Sequence, residues 1–141
     1  MSRPNSKRVG DETEVAAIRF LLSEGYTVSI PFGDNHPYDL VVDDHKRLYR
    51  LQCKTAWSTG NGTIRFNTHS QTTKNGEYHE RSYRGLIDGV LVRNPDTDHF
   101  YLIPEDHLTD QKMALRFTSD IDHPAINWAA SYRFFGDLSP I

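Results

Sequence analysis

Between Tyr38 and Lys54 the chain carries two strand-length segments, Tyr38 to Asp43 and Arg47 to Lys54, separated by only the three residues Asp44-His45-Lys46. A connection this short makes the two segments pair as an antiparallel hairpin. Side chains alternate along a strand, so Asp39, Val41 and Asp43 share one face of the first segment. On the second, Gln52 and Lys54 share a face, and Leu51 and Cys53 take the other. A carboxylate, an amide and an amine can therefore converge on one sheet surface.

Around this hairpin the other elements follow from periodicity. Val15, Ile18, Leu21 and Leu22 recur at helical spacing, which predicts an amphipathic helix from Asp11 to Glu24, with Asp11 as N-cap and Gly25 just past the C-terminus. Tyr26 to Ile30 reads as a strand that precedes the hairpin. The stretch from Trp57 to Gly85 is polar and rich in Thr, Asn, Ser and Gly; it predicts at most a short strand at Thr63 to Asn67, or else a poorly periodic helix or a mobile loop. Leu86 to Arg93 and Phe100 to Ile103 form a second hairpin across the turn signal Asn94-Pro95-Asp96-Thr97-Asp98. Met113 to Phe117 and Tyr132 to Phe135 read as short edge strands.

A chain of 141 residues can bury one core and has no room for a second. We expect a flexible basic N-terminus over residues 1–9 and a single domain over 10–138. No apolar stretch approaches the roughly 20 residues that span a bilayer, so no membrane association is expected. The first residues lack the apolar run of a signal peptide, and the expected location is the cytoplasm. Cys53 is the sole cysteine, which excludes an internal disulfide framework and a Cys-rich zinc site. The seven histidines are scattered, with no pair at the i, i+4 spacing of a helical metal site. A net charge of −3 runs against a nucleic-acid binder, although carboxylates that hold a metal count as negative while lying beside bound phosphate.

Oxygen ligands and a lysine on adjacent strands are what divalent-cation hydrolysis of a phosphodiester needs. The metal neutralises phosphate charge and acidifies a bound water, and the lysine orients or deprotonates that water. Glu14, on the inner face of the helix, could add a carboxylate to the metal or its waters, and such ligation suits Mg²⁺ or Mn²⁺.

The stretches Gly10 to Glu14, Gly25-Tyr26, Ile30 to Asn35, Pro37 to Val42 and Leu48 to Thr55 resemble the PD-(D/E)XK nucleases, and within them the group I intron homing endonucleases of that fold and their orphan relatives. The resemblance persists through Ile87 to Val90 and Tyr101 to Pro104. It implies an α/β, restriction-endonuclease-like core of mixed β-sheet flanked by helices, and a metal-dependent endonuclease acting on double-stranded DNA as a homodimer or homotetramer. It also implies that Glu14 is the helix carboxylate, Asp39 the central metal ligand and Lys54 the catalytic lysine. Gln52 departs from the Glu or Asp of most of the superfamily, though some branches, including the intron-encoded one, carry Gln there. An amide oxygen ligates a metal without adding negative charge.

Each residue also has a plainer explanation. Glu14 could complete a capping box with Asp11, Asp39 could end a turn, and Gln52 and Lys54 could be solvated side chains on an open sheet face. Cys53, on the face opposite the lysine, is expected as a small packing residue, as are Trp57 and Trp128. His36 is the histidine nearest in sequence to the proposed centre. Candidate DNA contacts are Arg3, Lys7 and Arg8 at the N-terminus and Arg65, Lys74, Arg81 and Arg84 in the polar stretch. The function classes that remain are a DNA endonuclease, a non-catalytic DNA-binding module on the same fold, and a Holliday junction resolvase.

Overall fold

The computed structural model describes residues 6–74, 77–82 and 84–141. Helix α1, Ser6–Ser23, opens the chain. Ten strands follow: β1 Thr27–Ser29, β2 Leu40–Asp43, β3 Leu48–Thr55, β4 Trp57–Gly60, β5 Thr63–Asn67, β6 His69–Lys74, β7 Glu77–Ser82, β8 Gly89–Asn94, β9 His99–Pro104 and β10 Lys112–Arg116. A short helix α2, Ala129–Tyr132, comes last. No described helix is long and apolar enough to cross a membrane.

The principal sheet has the order β1-β2-β3-β8-β9. Its pairs are antiparallel except β3 with β8, which run parallel, so the sheet is mixed. A parallel neighbour requires a long crossover, most often a helix. Here β4 to β7 fill that crossover. β4 and β5 join β10 in a second, antiparallel sheet ordered β10-β5-β4, and β6 and β7 form a separate two-stranded ribbon.

Alternation along β8 explains the layering. Val90 and Val92 face one way and pack with Ile64, Phe66, Met113 and Leu115 of the second sheet. Leu91 faces the other way and joins Ala17 and Leu21 of α1 with Leu40, Val42 and Leu51. The principal sheet is thus covered on both faces, and the interior strand β8 reads accordingly as a nearly unbroken apolar run. Gly89 opens that strand because a Cβ there would meet Ile103 O at 3.0 Å.

Several boundaries differ from expectation. α1 starts at Ser6, so Asp11 lies inside the helix rather than at its N-cap, and residues 6–9 are helical. The capping-box explanation of Glu14 falls with it. Gly25, at φ +89°, does end the helix, its N–H donating to Leu22 O at 3.0 Å. Among the described residues of Trp57 to Gly85 there are four strands, not one: β4 is exposed along its length, and the sequence of the β6–β7 ribbon is almost wholly polar, so neither carries an apolar alternation. Tyr132 to Phe135 is not a strand. Its first residue closes α2, and the only pairing is an isolated bridge of Arg133 to Tyr101, with Phe134 N–H donating to Phe100 O at 2.9 Å.

Candidate active site

The register of β2 on β3 pairs Leu40 with Leu51, which sets Asp39, just ahead of β2, against Gln52. Two hydrogen bonds hold it there. Asp39 N–H donates to Leu51 O at 2.9 Å, and its Oδ2 accepts the Cys53 N–H at 2.9 Å. β3 then carries Gln52 and Lys54 two residues apart, opposite Val90 and Val92 of β8. The Lys54 ammonium donates to the His69 carbonyl, at the start of β6, at 3.2 Å.

Helix α1 supplies Glu14. Thr13, Ala17 and Leu21, at i, i+4 spacing, are its buried positions. Thr13 is 1% exposed, and its hydroxyl meets that of Thr55 at 2.6 Å. This contact ties the helix to the end of β3 between the two candidate groups, since Thr13 neighbours Glu14 and Thr55 neighbours Lys54. Neither threonine stands out in the sequence, because a threonine in a helix or strand carries no signal of a cross-element bond.

The ionisable groups are electrostatically coupled. Burial raises the Asp39 carboxyl above the ordinary range, although the Cys53 N–H and the Lys54 charge act to lower it. Burial also raises Glu14, helped by the charges of Asp39 and Asp11. Lys54 is lowered by burial, with Asp39 opposing. The Cys53 thiol is pushed well up by burial and by the Asp39 and Glu14 carboxylates, which leaves it protonated and unsuited to act as a nucleophile.

Gln52 Oε1 is buried and has no hydrogen-bond partner. An orphaned buried acceptor costs about 1–3 kcal/mol, and an oxygen-ligated cation would satisfy it. Among the described residues no three His, Cys, Asp or Glu side chains converge on a common point. Asp39, Glu14 and Gln52 offer two carboxylates and one amide oxygen, a donor set of the oxygen type that hard divalent cations take.

The candidate DNA contacts are dispersed. Lys7 and Arg8 lie in the first turns of α1, where exposed Arg8 pairs with Glu12 at 3.3 Å. Arg65 is exposed on β5, and Arg84 is exposed ahead of β8. Lys74 and Arg81 belong to the β6–β7 ribbon, in which Lys74 pairs with Glu77 and Arg81 with Ser70. Arg3 lies outside the described residues. His36 is exposed and contacts Phe32 O through Nε2 at 2.6 Å, a bond within its own loop.

No curated protein matches the chain at a significant level of sequence similarity. Among solved structures, the bacterial homing endonuclease I-Ssp6803I superposes with a TM-score of 0.77 at 27% identity, over 92% of this chain and 89% of that one. The family model of the PD-(D/E)XK endonucleases matches residues 4–135. With a helix carboxylate, an aspartate just ahead of β2 and a lysine two residues past Gln52 on β3, the chain belongs to the PD-(D/E)XK endonucleases and is homing-endonuclease-like.

Proposed function

We propose that the protein hydrolyses phosphodiester bonds of double-stranded DNA, in the manner of a site-specific homing-type enzyme, with Mg²⁺ bound at Asp39, Gln52 and Glu14 and with Mn²⁺ able to substitute. The observation that carries this reading is the buried, unpartnered Gln52 Oε1 beside a carboxylate of raised pKa and a half-buried lysine. Binding of a divalent cation supplies charge neutralisation at the phosphate and a more acidic water.

The chain's own groups divide the remaining work. Asp39, whose Oδ2 is fixed by the Cys53 N–H, would help to hold the ion. Gln52 would contribute a neutral oxygen, so the negative charge of the donor set would come from Asp39 and Glu14. Lys54 is lowered by burial and donates to the water or to the phosphate oxygen next to it, a role for which a desolvated ammonium is well suited. A chain with one such centre cuts one strand, and pairing of two copies as a homodimer or homotetramer would allow both strands to be cut.

Nicking of supercoiled plasmid in Mg²⁺, in Mn²⁺ and in EDTA tests the reading. Cleavage with either metal and none in EDTA is expected. Folded protein that binds duplex yet nicks neither plasmid nor a four-way junction with any of these would make the chain a binding module.

A further inference from the structure

The second sheet, β10-β5-β4, turns one face into the core and the other outward. β4, β5 and β10 contain no Asp or Glu, in a chain of net charge −3. Their inward residues Ile64, Phe66, Met113 and Leu115 are buried in the core, so Arg65, Ala114 and Arg116 point outward. Arg65 pairs in register with Ala114, and Arg116 with Thr63. On this face lies a groove of about 730 Å³ whose charged or ionisable lining is Arg65, Arg116 and His123. Thr63, Asn61 and Asn127 add neutral hydrogen-bonding groups. Asp120 and Asp122 occupy the exposed loop that follows β10 and do not line it.

Two details indicate a ligand. Thr63 is only 8% exposed, and its Oγ1 is buried with no hydrogen-bond partner, although it lines the groove. Natural proteins seldom leave a buried hydroxyl unmatched, and a phosphate oxygen would match it. His123 Nδ1 accepts the Ala125 N–H at 3.0 Å, which leaves Nε2 as the N–H donor of the neutral ring. The turn that leads into β5 beside the groove is also fixed: Gly62, at φ +68°, lies where a Cβ would come within 2.8 Å of Thr118 Oγ1, and its carbonyl accepts the Phe117 N–H at 2.8 Å.

We propose that this groove binds the sugar-phosphate backbone of the DNA substrate away from the scissile bond, with Arg65 and Arg116 as the phosphate cations and Thr63 Oγ1 and His123 Nε2 as neutral donors. The inference rests on the reading of the chain as a DNA endonuclease. The short step from β5 through Thr68 into β6 links the two places. Arg65 precedes His69, whose carbonyl receives the catalytic lysine, by four residues. At about 3.4 Å per residue that is roughly 14 Å, well inside the ~34 Å of one duplex turn.

The test is anisotropy of a fluorescently labelled 30-base-pair duplex, titrated in EDTA between about 50 and 200 mM salt, with wild type, the Arg65→Gln/Arg116→Gln double variant and Thr63→Val. Each phosphate contact contributes about 0.9 to the slope of log affinity against log salt, so the double variant should flatten that slope by about two. Its affinity should fall on the order of tenfold or more near 0.1 M salt, with plasmid nicking at saturating DNA retained and KM raised. Thr63→Val removes only a hydroxyl from a buried site, and it should keep or raise the melting temperature while weakening binding. Wild-type affinity and salt slope in both variants, with nicking intact in the wild type, overturns the groove alone. A wild type that neither binds nor nicks DNA overturns the underlying reading and the groove with it.

Discussion

Asp39 and Asp88 both accept a backbone N–H from the same strand, β3, and reach opposite electrostatic ends. Asp88 Oδ2 accepts the Arg50 N–H at 2.7 Å, and its carboxylate lies 3.4 Å from the Arg50 guanidinium and 3.5 Å from that of Arg47. Burial acts to raise Asp88, but the hydrogen bonds from Arg50 and the charges of Arg50 and Arg47 outweigh it, and the carboxyl ends below its ordinary range. Asp39 has one N–H, from Cys53, and the charge of one desolvated lysine; burial prevails and its carboxyl is raised. Half-buried Asp88 has its charge met within the chain, whereas that of Asp39 is met only in part, and strongly perturbed carboxyls of the second kind gather at functional sites.

The comparison can be broken in four ways, of decreasing size. Lys54→Ala removes the cation whose charge acts on Asp39, and plasmid nicking should fall by at least about 10²-fold with the fold intact. Nicking near the wild-type rate would remove Lys54 from the chemistry. Asp88→Ala strands the Arg50 N–H and two guanidinium groups without their acceptor, and chemical denaturation should show a loss of about 1–3 kcal/mol. An unchanged midpoint would mean that solvent already satisfies those donors.

Asp39→Asn should act in the other direction. A carboxyl whose pKa is raised on folding makes the ionised form unfavourable in the folded state, so at neutral pH its neutral isostere stabilises the metal-free chain. A Tm higher by a few degrees in EDTA is expected, together with loss of the upward shift that Mg²⁺ gives the wild type. A lower Tm in EDTA would mean that the Asp39 charge is already compensated.

The smallest effect concerns pH. Because Asp88 is lowered on folding, its contribution is complete above its unfolded pKa of about 3.9 and is lost as pH falls through the lower folded value. Asp88→Asn should therefore flatten the acid limb of stability below about pH 4 and leave the shape of the curve near neutrality unchanged. An acid limb identical to the wild type's would assign acid sensitivity to other carboxylates.

How much of this was legible in the sequence depended on apolar alternation. β2, β3, β8 and β9 were readable because Leu40, Val42, Leu51, Leu91 and Ile103 must be buried, and their spacing encodes the strand. β4 and the β6–β7 ribbon were missed because exposed or polar strands are specified by backbone pairing and by neighbours distant in sequence, not by a hydrophobic pattern. The start of α1 was misjudged because Ser6 to Gly10 adds no apolar face, so Asp11 looked like a cap. In the site, Asp39, Gln52 and Lys54 could be grouped from strand period alone. The Thr13–Thr55 bond and the Lys54 contact with the His69 carbonyl could not, because each joins elements whose relative placement only the packed core sets.

The central claim is that the under-compensated carboxylate is the functional one, and the most direct measurement is Mg²⁺-dependent nicking of supercoiled plasmid by Asp39→Asn and Asp88→Asn side by side. Each substitution removes one charge from a carboxylate held by β3 and keeps an acceptor oxygen. The account predicts that Asp39→Asn loses nicking by about 10²-fold or more at undiminished stability, while Asp88→Asn stays within a few-fold of wild type at reduced stability. Nicking that survives in Asp39→Asn, or that is lost equally in both, would contradict it.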